Sequence, residues 1–359
     1  LKNKVYSIAL GLLLCSGWLT AQDQLPGRPA PAYTQLFRKT SGWVAGDGAF
    51  SIPLTDGRVI WLFGDSHIGG YDSASQTVPC LFQVRNAAFV HHRNDLQRHQ
   101  TLIGRPPGIP SLFKVQPADS TWLWPGFGLQ LGDTVYITQS ELRATGAGGN
   151  LGFESTGRYY FSKTAFPALS NTQYQLLPDF NGINFTVGMV HDSLNGFVYI
   201  YGYKSRGIEP DLYVARISAR QPWGAWEYWD GKRWQSSVQQ AAVIAKGASN
   251  GVNIHKVDQR YLLVSTEFSI DCDHGRRVFA AWSDSPAGPF GERTPMYVIP
   301  DTLLGHYPFF YAPAIHPEFR KGKAVLVTYS INEYGHCINV CNKGRKSPDH
   351  YRPRAFWLE

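Results

Sequence analysis

The sequence has almost no helical periodicity. Apolar residues do not recur at three- and four-residue spacing over any long window, so helical bundles and α/β architectures are poor fits. Methionine is scarce: 2 residues stand beside 11 Trp, 19 Tyr and 20 Phe. The core must therefore be built largely from rings, which fit pleated surfaces, with a minority left over to line a groove. No linker rich in Pro, Ser or charge divides the chain, so residues 41–359 are expected to form one domain. Past residue 21 no apolar stretch is long enough to cross a bilayer. The net charge of +7 is scattered. Arg276-Arg277 and residues 320–323 are short basic runs, whereas nucleic-acid proteins concentrate such charge on one face. Nucleic acid is thus not an expected partner, and the excess suits a neutral or acidic substrate.

Several catalytic signatures are missing as well. Thr145-Gly146-Ala147-Gly148-Gly149 has no following Lys-Ser or Lys-Thr, so it is a loop and not a phosphate cradle. No Gly-x-Ser-x-Gly elbow occurs. Asp271-Cys272-Asp273-His274-Gly275 lacks the rest of a calcium-loop pattern.

What is present begins with a leader. Lys2 and Lys4 precede an apolar stretch at 5–18, and Leu19-Thr20-Ala21 offers a small residue for cleavage. This layout predicts a signal peptide over 1–21 and a secreted or periplasmic product. Residues 22–40 form an N-terminal segment.

Five segments then repeat one grammar. Each opens on a small residue, alternates briefly, turns on polar residues and continues into a strongly β-prone run. The openings fall at 48, 128, 188, 251 and 313, and the turns near 55–57, 132–133, 195–196, 258–259 and 321–322. A period near 60 residues suits a four-stranded blade with loops, and repeated blades imply a propeller. The expected fold is all-β: a five-bladed β-propeller of four-stranded antiparallel blades. Residues 355–358 read as the third strand of blade five. Residues 33–37 are expected to supply its fourth strand and close the ring, protecting edges otherwise left open.

The first hairpin carries the chemistry. A three-residue loop at 55–57, ending in glycine, pairs Leu54 with Arg58. That register sets Asp47 opposite Asp65, with Cα atoms about 4.5–5.5 Å apart as for any cross-strand pair. Two carboxylates held this close do not easily both ionise, which yields an acid beside a base or nucleophile. Turn capping, an ion pair with Arg85 and cation binding are the other uses open to the pair.

Residues 42–51, Gly-Trp-Val-Ala-Gly-Asp-Gly-Ala-Phe-Ser, and 56–66, ending Trp61-Leu62-Phe63-Gly64-Asp65-Ser66, resemble the opening signature of a family of secreted five-bladed propellers. Some of its relatives are endo-D-arabinanases, which cut D-arabinofuranose polymers. Arg85-Asn86, Trp124-Pro125-Gly126 and His350-Tyr351-Arg352-Pro353-Arg354 resemble its later landmarks. The resemblance implies that Asp47 and Asp65 act as the catalytic pair. Gly288-Pro289-Phe290 resembles a blade motif of many propeller glycosidases, which bears on fold.

Other residues fall near the same end of the blades. Glu267 ends the second strand of blade four, as Asp65 does in blade one, and is a candidate third acid. Glu141, just beyond the same place in blade two, is a candidate for binding hydroxyls. Arg85, Asn86, His67, His350 and Arg352 are further candidates for substrate contact, and Trp122, Trp124 and Tyr311 for sugar stacking. His306 lies on a rim loop. After leader removal four cysteines remain. In a five-blade ring, blade five neighbours both four and one, so Cys272–Cys337 and Cys80–Cys341 are the expected bridges. A zinc site with His336 is the rival arrangement. The expected function is a glycoside hydrolase acting as a monomer on an extracellular glycan, without cofactor; the rival is a carbohydrate-binding propeller that does not cleave. A structural cation in the central channel is a further option.

Overall fold

A computed structural model describes residues 25–105, 110–115, 120–145, 152–166, 169–333 and 337–359. The leader, His336 and most of the glycine-rich loop at 145–149 lie outside the described residues. The fold is a five-bladed β-propeller. The inner strands are Trp43–Pro53, Thr121–Leu131, Asn184–Asp192, Val252–Val257 and Phe309–Lys321. Each contacts the next, and the last contacts the first, so they ring a central channel. The second strands, Arg58–Ile68, Thr134–Ala144, Phe197–Lys204, Arg260–Thr266 and Ala324–Asn332, pair antiparallel with them. Third and fourth strands extend each blade outward.

Sheet packs on sheet at every seam between blades. Trp43, Trp61, Phe63 and Phe89 of blade one meet Phe319 and Leu326 of blade five, all essentially buried. Each such side chain contributes about 1.5–3 kcal/mol when fully buried. The one indole N–H in this seam that faces a histidine is satisfied: Trp61 Nε1 donates to His91 Nε2 at 2.8 Å.

Ring closure differs from the expectation in one respect. The closing strand is Arg28–Pro29, which pairs with Arg354–Leu358 through Arg28↔Trp357 and Pro29↔Phe356. Residues 33–37 are not that strand: Pro31–Leu36 is a short helix, with Phe37 as its C-cap. Pro31 suits the first turn, where no backbone donor is needed. Tyr33 and Phe37 stand four apart, a spacing that places both on one face of a strand and also on one face of a helix. Here it serves a helix. Tyr33 packs on Phe319 (5.0 Å between ring centroids) and Phe37 on Trp61 (5.2 Å).

The first hairpin turns as its sequence requires. Leu54 N donates to Arg58 O at 2.8 Å, and Gly57 takes a φ of +86°. Pairing then runs from Pro53↔Val59 to Phe50↔Leu62. Two irregularities follow, at Ala49 on the inner strand (φ +56°) and near Gly64–Asp65 on its partner. They cancel, so pairing resumes at Gly46↔Ser66 in the original register. Bulges re-aim side chains, and here the interrupted stretch is the one that carries both aspartates.

Candidate active site

Asp47 and Asp65 lie side by side where blade one meets blades five and two. Gly64 makes the approach feasible: a Cβ there would stand 2.5 Å from Asp47 Oδ1. Any larger residue would push the Asp47 carboxyl off the backbone it rests against.

Blade five supplies the partners of Asp47. Tyr311, on its inner strand, donates its hydroxyl to Asp47 Oδ2 at 2.8 Å. Tyr351, from the 3-10 turn Pro348–Tyr351, also hydrogen-bonds the Asp47 carboxyl. Tyr311 is held in turn by stacking on Phe309, with centroids 4.5 Å apart, and by Asn332 Nδ2 at 3.3 Å. Ser330, also of blade five, accepts from Gly48 N at 3.0 Å and pins the bulge.

Asp65 faces blade two and is only 4% exposed. Trp124 Nε1 donates to its Oδ1 at 3.4 Å, and the Arg85 guanidinium stands 3.6 Å from Oδ2. Arg85 is itself stacked over Trp122 at 3.9 Å and over Phe82 at 4.9 Å.

The two aspartates have different electrostatics. Burial raises the pKa of Asp47, and the Tyr311 and Tyr351 hydroxyls oppose that rise by donating to the ionised form. Burial also raises Asp65; the charge on Asp47 raises it further, and Arg85 and Trp124 only partly offset this, leaving it at about 8. The two phenols favour charge on Asp47, and charge on Asp47 favours the proton on Asp65. The phenols of Tyr311 and Tyr351 are pushed well above their ordinary range by burial and by Asp47, so both remain donors.

The remaining sequence candidates are spread more widely. Asn86 is fully buried and staples loops together: it donates to Phe113 O and Leu123 O and accepts from Phe113 N. Glu141 is buried against Thr156 (2.9 Å), Tyr160 (3.1 Å) and Arg158 (3.5 Å). Arg352 is committed to Val44 O, Lys39 O and Asp349. His67 is buried beside Tyr351, and its pKa is lowered to about 3 by burial and by Lys346 and Arg352, so it stays neutral. Burial lowers the pKa of His350 as well, with Lys346 and Arg354 adding to the shift and Glu333 and Asp349 opposing it. Glu267 lies on blade four, clamped by Arg277 and the Arg276 and Arg277 backbone N–H groups, which hold its pKa low. Sequence reasoning had placed Tyr351 in a landmark motif without giving it a role. No local pattern pairs it with Asp47; only ring closure does.

The cysteines pair as Cys80–Cys341 and Cys272–Cys337, with Cα atoms 5.7 and 6.2 Å apart. The first bridge joins loops of blades one and five beside the site. Donor atoms of Asp273, His306 and Cys337 converge within 4.8 Å, as do those of Asp271, Cys272 and Cys337. The sulfur shared by both groups is bonded in a disulfide, and His336, the ligand named for the rival zinc arrangement, lies outside the described residues. In the seam of blades one and five, His316 packs on Trp61 and hydrogen-bonds Ser51 and Thr328 at 2.6 and 2.8 Å.

The fold and this site define a class: a five-bladed β-propeller with a buried carboxyl pair on one face. The chain belongs to the family described as "Domain of unknown function (DUF5005)", whose model matches residues 31–359. Among solved structures it is similar to a candidate hydrolase from Bacteroides ovatus, with a TM-score of 0.72, 20% identity, and coverage of 92% of this chain and 89% of that one. It is also similar to the exo-beta-1,3-galactanase of Phanerochaete chrysosporium, with a TM-score of 0.50 and 10% identity. That match covers 89% of this chain and 62% of the galactanase. Both likenesses are of fold. No curated protein matches the sequence.

Proposed function

We propose that the protein is a secreted glycoside hydrolase that cleaves a furanose-containing or related polysaccharide, with Asp65 as proton donor and Asp47 as its ionised partner. The observation that carries this reading is the split between the two carboxyls. One sits among hydroxyl donors that favour its charge; the other keeps its proton to about pH 8. Glycoside hydrolysis needs such a division: an acid for the leaving oxygen, and a carboxylate that attacks the anomeric carbon or activates water. Asp65 gives its proton to the glycosidic oxygen as the bond breaks. Asp47, its oxygens fixed by Tyr311 and Tyr351, serves as nucleophile or base. The signature around the pair, similar to that of endo-D-arabinanases, favours a furanose polymer. The leader pattern favours export.

The test is product analysis on arabinans and other plant and bacterial glycans, with the wild type beside Asp47→Asn and Asp65→Asn. The wild type is expected to shorten one of these polymers and both variants to leave it intact. A wild type that binds a glycan and never shortens it sinks the hydrolase reading. Variants that cleave at the wild-type rate sink the site assignment alone.

A further inference from the structure

We infer that the cleft between blades three and four is a second glycan subsite, which holds part of the same polymer at a distance from the bond being cut. This rests on the proposed hydrolase reading. The cleft has a volume of about 500 Å³ and is lined by Ile208, Glu209, Glu267, Phe268, Phe279 and Arg293. It opens on the face that carries the aspartates, because Glu267 follows the second strand of blade four at the end where Asp65 lies in blade one.

The cleft connects to the site through packed residues. Phe310 N donates to Ser269 Oγ at 3.3 Å, which ties the loop after Phe268 to the inner strand of blade five. The neighbouring residue Phe309 stacks on Tyr311, and Tyr311 holds Asp47.

The lining has the chemistry of a sugar site. Most rings of this protein are buried, yet Phe268 is 38% and Ile208 56% exposed. They offer an apolar platform for the C–H face of a sugar. Around it stand ion pairs, Glu209 with Arg293 and Glu267 with Arg277. Their charges balance, which suits a neutral polyhydroxylated chain better than an ionic ligand. Carboxylates and guanidiniums keep spare acceptor and donor capacity for hydroxyls when paired, and Arg293 Nη1 is enclosed without a partner.

The test uses the full chain carrying Asp65→Asn, titrated with arabinan di-, tetra- and octasaccharides by calorimetry. Affinity is expected to rise with length. Phe268→Ala and, separately, Ile208→Glu should each cut octasaccharide affinity by about tenfold, or one decade in Kd, and leave the disaccharide unchanged. Unfolding midpoints equal to the parent show that the variants fold. The subsite is overturned if no oligosaccharide binds, if length brings no gain, or if the variants weaken all lengths equally. Cleavage by the Asp65-containing chain without a length effect removes the subsite and spares the hydrolase reading. A length effect lost in Phe268→Ala, with no cleavage of any glycan, does the reverse.

Discussion

Asp65 and Glu267 occupy corresponding places in blades one and four, close to where the second strand reaches the same face. Their chemistry is opposite. Glu267 is partly exposed and receives a guanidinium and two backbone N–H groups, so its pKa falls. Asp65 is buried beside another carboxyl, with its cation 3.6 Å away, and its pKa rises to about 8. A repeat fixes where a side chain stands. Burial and the charges set beside it, Arg277 for Glu267 and Asp47 for Asp65, fix what the side chain can do.

The sharpest way to break this contrast is to remove charge from each member in turn. Asp47→Asn or Asp65→Asn is expected to lower kcat by about a thousandfold or more, as for loss of a nucleophile or acid. Glu267→Gln should leave turnover of short chains within about twofold and lower the unfolding midpoint slightly, since a partly exposed ion pair is worth about 1 kcal/mol or less. Steady-state kinetics and a melting curve on the three variants decide the matter, and equal kinetic losses would erase the distinction.

Tyr351→Phe comes next. It withdraws a donor from the Asp47 carboxylate, so the pKa of Asp47 should climb and the acidic limb of the kcat profile should move to higher pH. A loss of about 10–100-fold in kcat is expected for one buried donor to a catalytic charge. An unmoved acidic limb would mean that the phenol does not tune Asp47.

Stability follows with the opposite sign. Asp65 has a folded pKa of about 8 against an ordinary 3.8. Folding therefore favours its protonated form. That contribution is complete below about pH 4 and is lost as pH rises toward 8. Asp65→Asn cannot ionise and should be more stable than the wild type at pH 7 by about 1–3 kcal/mol. Melting curves from pH 4 to 9 should show the two proteins diverging upward and levelling off near 8; parallel curves would contradict the raised pKa.

The smallest effect is expected from Arg85→Ala. Arg85 lowers the pKa of Asp65, so its removal should shift the basic limb of the activity profile to higher pH. A downward shift would show that the guanidinium acts on substrate and not on the acid.

Much of this architecture was legible because hairpins are local. The turn at 55–57, the hairpin of each repeat and the register that brings Asp47 and Asp65 to the same end of blade one depend on residues within about twenty positions of one another, although the ladder is interrupted at the two aspartates and does not pair them directly. The pair of compensating bulges was not legible, and it left the register intact. The closing strand was misplaced because Tyr33 and Phe37 fit a strand face and a helix face equally well, and only Pro31 argues for the helix. Long-range pairings were the least visible. Glu141, Asn86 and Arg352 sit at positions that suit ligand contact, yet their polar atoms are engaged by Thr156 and Tyr160, by Phe113 and Leu123, and by Val44 and Lys39. Tyr351 became meaningful only when blade five lay against blade one.

That seam has a consequence for how the protein is made. Asp47 leaves the ribosome early, and Tyr311 and Tyr351 leave it late. Until they dock, and the strand at Arg28–Pro29 joins Arg354–Leu358, the two aspartates are an ordinary solvated pair without a poised proton. The same event that seals the circle therefore buries the pair and raises the pKa of Asp65.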